Sequence, residues 1–360
     1  MNTCINCDEL SGGRRDFVKK LCLGSAGLAL GALELHGCST RVQRALVLKR
    51  TAKRQLGDSR VSFVTGNDRR QMIYEALKPF ENEISEGIQD KQVIIKVNFM
   101  GTGNPLSTTH PDAVRGVLDF LTPLYDRPII VGESKGFLPS FEHYEYYPLI
   151  REYNVRLVEL HEGPNTYQWI LDQNLYPTSI RVINSYLDPN NYIISVTRLK
   201  THNVVVATLT LKNVVMGSPL KIPKVNINDK DKMHAGNETP KFLNYNLFVM
   251  AHRVYPDFAV LDGFEGMEGD GPGSGEPVDH KVAIAGSDCV SVDRIGTELM
   301  GIPWENIGYL QYCARAGLGQ GDRSRIKVIG PDPEDYIIKY KLHNNIEWQY
   351  TWKEDVIMQR

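Results

Sequence analysis

The chain has 360 residues, with 41 basic and 43 acidic side chains, and its formal net charge at neutral pH is −2. Proteins whose main partner is nucleic acid carry a clear excess of basic residues, so this balance excludes that class. The length exceeds the size at which a single hydrophobic core stops growing. We therefore expect one large domain or two closely packed subdomains.

The first 37 residues have the features of an export signal. Residues 11–20 (SGGRRDFVKK) contain paired arginines, and the apolar run 21–33 is shorter than the roughly 20 residues that span a membrane. We predict a twin-arginine signal peptide over residues 1–37, recognised by the twin-arginine export machinery. The predicted location is the periplasm or the cell envelope.

Residues 35–38 (LHGC) resemble the cleavage box of a bacterial lipoprotein, in which the cysteine becomes the lipid-bearing first residue. Lipidation of Cys38 would attach the mature protein to a membrane. Ordinary cleavage is the alternative, because Glu34 and His36 are unusual in such a box, and both stay open. Residues 38–60 are rich in Arg and Lys and are predicted to form a basic tether.

Cysteine usage restricts the cofactors that the mature chain can hold. Three cysteines lie in the predicted signal and Cys38 is the lipid candidate, which leaves Cys289 and Cys313. Two thiols are too few for a cubane iron–sulfur cluster or for a cysteine-only zinc site. They can form one disulfide in an oxidising compartment, although two buried free thiols are the favoured alternative.

The mature chain begins with alternating strands and helices. Apolar runs predict strands at 61–64, 93–97 and 128–131, and helical spacing predicts helices at 69–77 and 111–121. Pro111 suits a first helical turn, with Thr109 or His110 as the cap. This alternation is typical of an α/β fold, a mostly parallel doubly wound sheet with helices on both faces. Ligands bind in such folds at the carboxyl ends of the strands.

The second half continues with strands near 156–160, 180–183, 192–197, 258–261 and 281–285, and with helices at 289–300 and from 307 onward. Residues 263–277 contain six glycines and are predicted to form a long loop. We predict an α/β domain over 61–330 and a packed C-terminal extension over 331–360.

One polar motif stands out within an apolar, β-branched region. Residues 199–202 (LKTH) are followed by Lys212 and Asn213. Charged and polar groups are costly to bury unless something pairs with them. The motif is therefore more plausibly a functional site than part of the scaffold.

Several short segments together resemble a known family. They are residues 95–98 (IKVN), 108–111 (TTHP), 199–202 (LKTH), 211–213 (LKN) with Gly217, 262–272 (DGFEGMEGDGP) and 291–293 (SVD). In this order they resemble the uncharacterised prokaryotic family called domain of unknown function 362, over residues 61–322. The resemblance implies no settled reaction. Many members carry a ferredoxin-like cysteine segment, which this chain lacks, so we do not predict an iron–sulfur cluster.

Three lysines accompany the apolar strands. If Lys96, Lys200 and Lys212 converge at strand ends, they form an electropositive floor for the carboxylate or phosphate of a small molecule. The alternatives are that each lysine pairs with a structural carboxylate such as Glu133 or Asp262, or that one of them is catalytic.

Histidines and carboxylates supply candidate acids, bases and metal ligands. His202, His110 and His234 can each act in this way, because imidazole titrates near neutral pH and binds metals. Asp262 and Glu268 lie in the glycine-rich segment, where a carboxylate can serve as a general base or hold a hard cation. No pair of histidines has the spacing of a zinc hydrolase.

These observations favour an exported enzyme, with oxidoreductase as the first choice of class, acting on an anionic small molecule. The predicted catalytic residues are His202, Lys200, Glu268 and Asp262. The predicted substrate-binding residues are Lys96, Asn98, Thr201, Lys212, Asn213, Gly269 and Gly271. The candidate metal ligands are His110, His202 and Glu268.

Two alternatives belong to other classes. A lipid-anchored protein that binds an anionic solute without turnover is favoured by Cys38 and the basic tether. A fold like that of nickel-pincer racemases rests only on the general α/β resemblance. The sequence leaves the identity of any cofactor open.

Overall fold

The computed structural model of the chain describes residues 50–51, 57–100, 103–134, 140–235 and 239–354. The predicted signal peptide, Cys38 and most of the predicted tether lie outside these residues. All the described residues fall in one unit, Val47–Arg360. None of the helices in this part of the chain is long and apolar enough to cross a membrane.

The strands are β1 (Ser59–Thr65), β2 (Gln92–Lys96), β3 (Ile129–Glu133), β4 (Val155–Glu159), β5 (Asn165–Leu171), β6 (Pro177–Ile183), β7 (Asn191–Thr201), β8 (Ala207–Thr208), β9 (Lys221–Ile222), β10 (Ile227–Asn228), β11 (Phe258–Glu268), β12 (Glu276–Gly286) and β13 (Ile326–Ile329). The helices are α1 (Arg69–Leu77), α2 (Glu81–Ile88), α3 (Pro111–Leu121), α4 (Ser140–His143), α5 (Pro148–Glu152), α6 (Thr210–Gly217), α7 (Asp229–Lys232), α8 (Thr239–Ala251), α9 (Cys289–Leu299), α10 (Gly308–Arg315) and α11 (Ile346–Gln349).

Nine of these strands form one sheet, in the order β13–β1–β12–β11–β7–β2–β3–β4, with β8 paired to β7. The five strands from β11 to β4 run parallel to one another, whereas β12 is antiparallel to both of its neighbours. The predicted mostly parallel α/β sheet is therefore confirmed. Strands β5 and β6 form a separate hairpin, as do β9 and β10.

The sheet is buried on both faces. Successive residues of a strand point to opposite sides of the sheet, and here both sets are buried in apolar clusters. Ile94 and Ile193 belong to one apolar cluster, which α6, α8, α9 and α10 cover. Ile95 and Ile194 belong to the other, which α1, α2 and α3 cover. Helices on both faces are thus confirmed.

The first half of the fold follows the sequence pattern closely. Helix α1 has the predicted bounds, and α3 begins at Pro111 with His110 as its cap. The His110 Nδ1 atom accepts a hydrogen bond of 3.1 Å from the Asp112 amide. Local sequence signals suffice to predict these helices, because the apolar spacing and the residues that begin the helix indicate the same bounds.

The prediction of a long loop over residues 263–277 is wrong. Strand β11 continues to Glu268, where it pairs with Glu276 of β12, and only residues 269–275 connect the two strands. The glycines serve close packing: a Cβ atom at Gly266 would lie 2.0 Å from the Tyr340 hydroxyl. Glycine composition suggested a loop, but tertiary contacts explain it.

The two ends of the described chain pack onto the sheet. Arg50, within the predicted tether, is buried and donates hydrogen bonds to the carbonyls of Asn191 and Tyr255. In the C-terminal extension, Trp352 is buried whereas Trp348 is exposed. Cys289 and Cys313 are both buried and free, as the favoured alternative predicted.

Candidate functional site

A cavity of about 560 Å³ lies at the carboxyl ends of β2, β3 and β7, beside helix α6. The position is the one at which open α/β sheets bind ligands. The volume suits a small molecule. Five lysines and two carboxylates line it, namely Lys96, Lys200, Lys212, Lys221, Lys230, Glu133 and Asp231.

Lys96 is paired with a carboxylate. Its ammonium lies 2.9 Å from Glu133 Oε1 and also donates to Asn213 Oδ1 at 3.3 Å and to the Val97 carbonyl. Burial alone would raise the pKa of Glu133, but the Lys96 ammonium outweighs it, together with Lys230, and the pKa is lowered. For Lys96 the structural alternative is therefore the one observed.

Lys200 is buried, and among the described residues it pairs with no carboxylate. Its amine donates to Asn98 Oδ1 at 2.5 Å and to the Ser107 carbonyl at 2.6 Å. Burial lowers its pKa well below the usual range, and the charge of Lys212 adds to this. Lys200 thus holds the chain after β2 in place and forms one wall of the cavity.

Lys212 differs from both. It is 7% exposed, it lines the cavity, and its amine forms no hydrogen bond or ion pair within the described residues. Burial lowers the pKa of Lys212 to about 7, and the nearby Lys230 contributes. A buried amine without a partner is costly for the fold, which makes it a candidate ligand contact.

His202 lies on the turn that follows β7. Its Nδ1 atom accepts a hydrogen bond of 3.0 Å from the Val204 amide, so the neutral ring carries its proton on Nε2. Burial lowers the pKa of His202 well below its usual range, and Lys212 reinforces the shift. The ring is therefore neutral near pH 7. Since Nδ1 is engaged by the turn, Nε2 is the nitrogen that remains for a ligand.

Two asparagines tie the cavity floor to helix α6. The Asn98 side chain donates to Asn213 Oδ1 at 3.1 Å, and Asn213 Nδ2 donates to the Lys96 carbonyl at 3.2 Å. At Gly217 a Cβ atom would lie 2.6 Å from Lys96 Cε, so only glycine leaves room for that lysine. The Asn213 and Gly217 positions of the motif are thereby explained by packing.

The start of α6 is fixed by a carboxylate from α9. Asp293 accepts hydrogen bonds from the Thr210 amide at 2.8 Å, the Thr210 hydroxyl at 2.6 Å and the Leu211 amide at 3.0 Å. Burial raises the pKa of Asp293 to about 7, although these hydrogen bonds act in the opposite direction. Asp293 therefore positions the helix that carries Lys212.

The structure does not bring the predicted carboxylates to His202. Asp262 is buried elsewhere and lies 3.2 Å from Arg69 Nε. Glu268 accepts the Lys341 amide at 2.7 Å, so it binds the C-terminal extension. Neither lines the cavity, and both belong to strand β11, which ends at Glu268.

Four other predicted site residues also lie outside the cavity lining. The Thr201 hydroxyl donates to the Gly269 carbonyl at 2.9 Å, and a Cβ at Gly271 would lie 2.3 Å from the Thr201 carbonyl. These contacts hold the β11–β12 connection, whose Pro272 does reach the cavity. His110 caps α3. No cluster of three or more metal-ligating side chains occurs within the described ranges.

Sequence reasoning missed some cavity residues. Lys221, Lys230 and Asp231 come from the short β9–β10 hairpin and α7, where nothing in the local pattern marks a site. His234, one of the three candidate histidines, also lines the cavity. Burial lowers the pKa of His234, and Lys212 adds to the effect. A long-range packing contact, invisible in sequence, brings this segment to the sheet.

The family described as "Domain of unknown function (DUF362)" matches residues 93–298, more than half of the chain. The chain belongs to this family. The match includes every cavity-lining residue and confirms the resemblance seen in the short motifs.

A thylakoid-associated protein of Synechocystis sp. is similar to this DUF362 chain. It is 25% identical over 233 residues, which are 63% of this chain and 68% of that protein. No solved structure matches the chain. Family membership thus comes with no assigned reaction.

Proposed function

We propose that the protein binds a small anionic molecule in this cavity, with Lys212 as its central polar contact. One observation carries the proposal: the Lys212 amine is buried in a cavity, without a partner among the described residues. A carboxylate or phosphate oxygen would restore the favourable charge interaction that Lys212 lacks. Five lysines and two carboxylates line the cavity. This excess of basic side chains also favours a negatively charged ligand.

The test is calorimetric titration of the folded protein with succinate, lactate and inorganic phosphate. Lys212→Met should weaken binding by about tenfold or more, because a charge-assisted contact contributes roughly 1.5 kcal/mol or more. Lys224→Met is the matched control, since Lys224 is an exposed lysine, three residues after Lys221, that does not line the cavity. Equal affinities for the two variants, or no saturable binding, would refute the proposal.

We further propose that the protein is an enzyme that moves a proton on the bound anion. An amine with a pKa near neutrality can give or take a proton at physiological pH, and Lys212 is such a group. His202 carries a proton on Nε2, which is a second proton available for transfer to the bound anion. The oxidoreductase prediction depends on the predicted twin-arginine export and on the ferredoxin-like cysteine segment of many family members. It stays a prediction.

Binding without turnover is the competing proposal. Export through the twin-arginine route and attachment through Cys38 concern residues outside the described ranges, and they also remain proposals. Exchange of solvent deuterium into bound lactate or succinate, followed by NMR, would distinguish an enzyme from a binding protein.

A further inference from the structure

The three central lysines differ in whether their amine is available. Lys96 donates to three oxygen atoms of neighbouring residues and Lys200 donates to two, so both amines are held by the protein. The Lys212 nitrogen has no such contact within the described residues. We propose that Lys212 is an amine nucleophile, which forms a Schiff base with the carbonyl group of a small anionic aldehyde or ketone.

The surroundings of Lys212 meet the requirements of this reaction. A nucleophilic lysine has to be desolvated or placed beside another cation, so that its lone pair is free at neutral pH. Lys212 satisfies both conditions: burial lowers its pKa to about 7, and the nearby Lys230 charge contributes to the shift. An ordinary lysine, with a pKa of about 10.4, is almost entirely protonated there.

The reaction balances without any added reagent. The Lys212 nitrogen lone pair attacks the carbonyl carbon, and the carbon–oxygen π bond opens to a carbinolamine. Loss of the hydroxyl oxygen with two protons, as water, then leaves a carbon–nitrogen double bond. Addition of water reverses the sequence and releases the carbonyl compound.

Once the Lys212 nitrogen is bonded to the carbonyl carbon, the anionic group of the ligand would contact the other cations of the cavity. Lys221 and Lys230 line the same cavity, and Lys230 also donates to the Ser134 carbonyl at 3.0 Å. The inference rests on the proposed anion binding, because the anion has to dock before its carbonyl meets Lys212. It adds that the natural ligand carries an aldehyde or ketone.

Reductive trapping tests the inference. The folded protein is incubated with glyoxylate, pyruvate or 2-oxoglutarate and then with sodium borohydride, and adducts are located by intact mass and peptide mapping. We expect one adduct per chain, on Lys212. Excess succinate, which competes for the same charge contact, should lower the yield of this adduct at least about fivefold. Lys212→Arg keeps the positive charge but cannot form an imine.

The outcomes separate this inference from the proposed function. Adducts spread over exposed lysines, equal in wild type and Lys212→Arg, would overturn the Schiff base, as would no adduct with any of the three probes. If succinate still binds in that case, the proposed anion site stands. If neither succinate nor a carbonyl probe binds, both proposals fail.

A second measurement does not depend on the choice of carbonyl compound. Trace labelling with acetic anhydride across a pH series reports the unprotonated fraction of each lysine amine. Half-maximal labelling of Lys212 near pH 7 is the expected result, about three pH units below the pKa of an ordinary lysine amine. Half-maximal labelling of Lys212 near pH 10 would overturn the inference.

Discussion

The Lys96 ammonium and Glu133 Oε1 lie 2.9 Å apart, and the two side chains are 1% and 4% exposed. Glu133 also accepts the Phe99 amide at 2.7 Å and the Ser134 amide at 2.7 Å. This pair neutralises one of the cavity lysines and fixes the ends of β2 and β3. Within the part of the chain that the structure describes, Lys212 has no comparable partner, and the difference between the two lysines gives the site its chemistry.

Breaking the Lys96–Glu133 pair should destabilise the fold strongly. Glu133→Gln leaves the Lys96 charge buried without its partner, and we expect the free energy of unfolding to fall by about 3–5 kcal/mol. The double variant Lys96→Met, Glu133→Leu removes both charges and should lose less. Urea denaturation measures both. A double variant that is less stable than Glu133→Gln would contradict this account.

Lys212→Met should stabilise the fold at neutral pH, because it removes a buried, unpartnered amine. The gain is expected to be about 4 kcal/mol, the free energy that corresponds at pH 7 to a pKa lowered from about 10.4 to about 7. A lysine that served only the structure would give the opposite sign. Chemical denaturation of the two proteins at pH 7 tests this.

The difference in stability between Lys212→Met and the wild type should shrink as the pH rises. Between the folded pKa of about 7 and the unfolded value of about 10.4, the unfolded chain binds more protons at Lys212, so wild-type stability rises with pH. The advantage of Lys212→Met should therefore shrink by about 3 kcal/mol between pH 7 and about pH 9.5. A constant difference would show that Lys212 titrates normally.

His202 variants should separate its two nitrogens. In His202→Asn the amide oxygen takes the place of Nδ1 and still accepts the Val204 amide. We expect stability to change by less than about 1 kcal/mol, and succinate affinity to fall by about fivefold as Nε2 is lost. His202→Ala should lose affinity and about 1–2 kcal/mol of stability as well. Unchanged affinity in both variants would exclude a ligand contact.

Asp293→Asn should act on the site through helix α6. The amide presents N–H donors where the carboxylate accepted from Thr210 and Leu211, so we expect a loss of about 1–3 kcal/mol in the free energy of unfolding. Succinate affinity should fall as Lys212 moves with the helix. Thermal unfolding and calorimetry measure the two effects, and reduced stability with unchanged affinity would show that the position of α6 is not set by Asp293.

The sequence by itself determined the architecture and where to look for a site. Strand β2 and helices α1 and α3 could be predicted because apolar periodicity and the proline at the start of α3 are local signals. The rule that ligands lie at the carboxyl ends of parallel strands then directed attention to Lys96 and Lys200. The LKN motif added Lys212.

Only the tertiary structure decided which of these residues share a cavity and in what state. Asp262 pairs with Arg69 and Lys96 with Glu133, whereas Lys212 is left without a partner among the described residues. Lys221 and Lys230 join the site from a distant segment. Composition fixes which charges a chain contains, but their pairing and burial depend on contacts between residues far apart in sequence. Because burial and pairing set pKa values, the chemistry of the lysines emerges only from the folded structure.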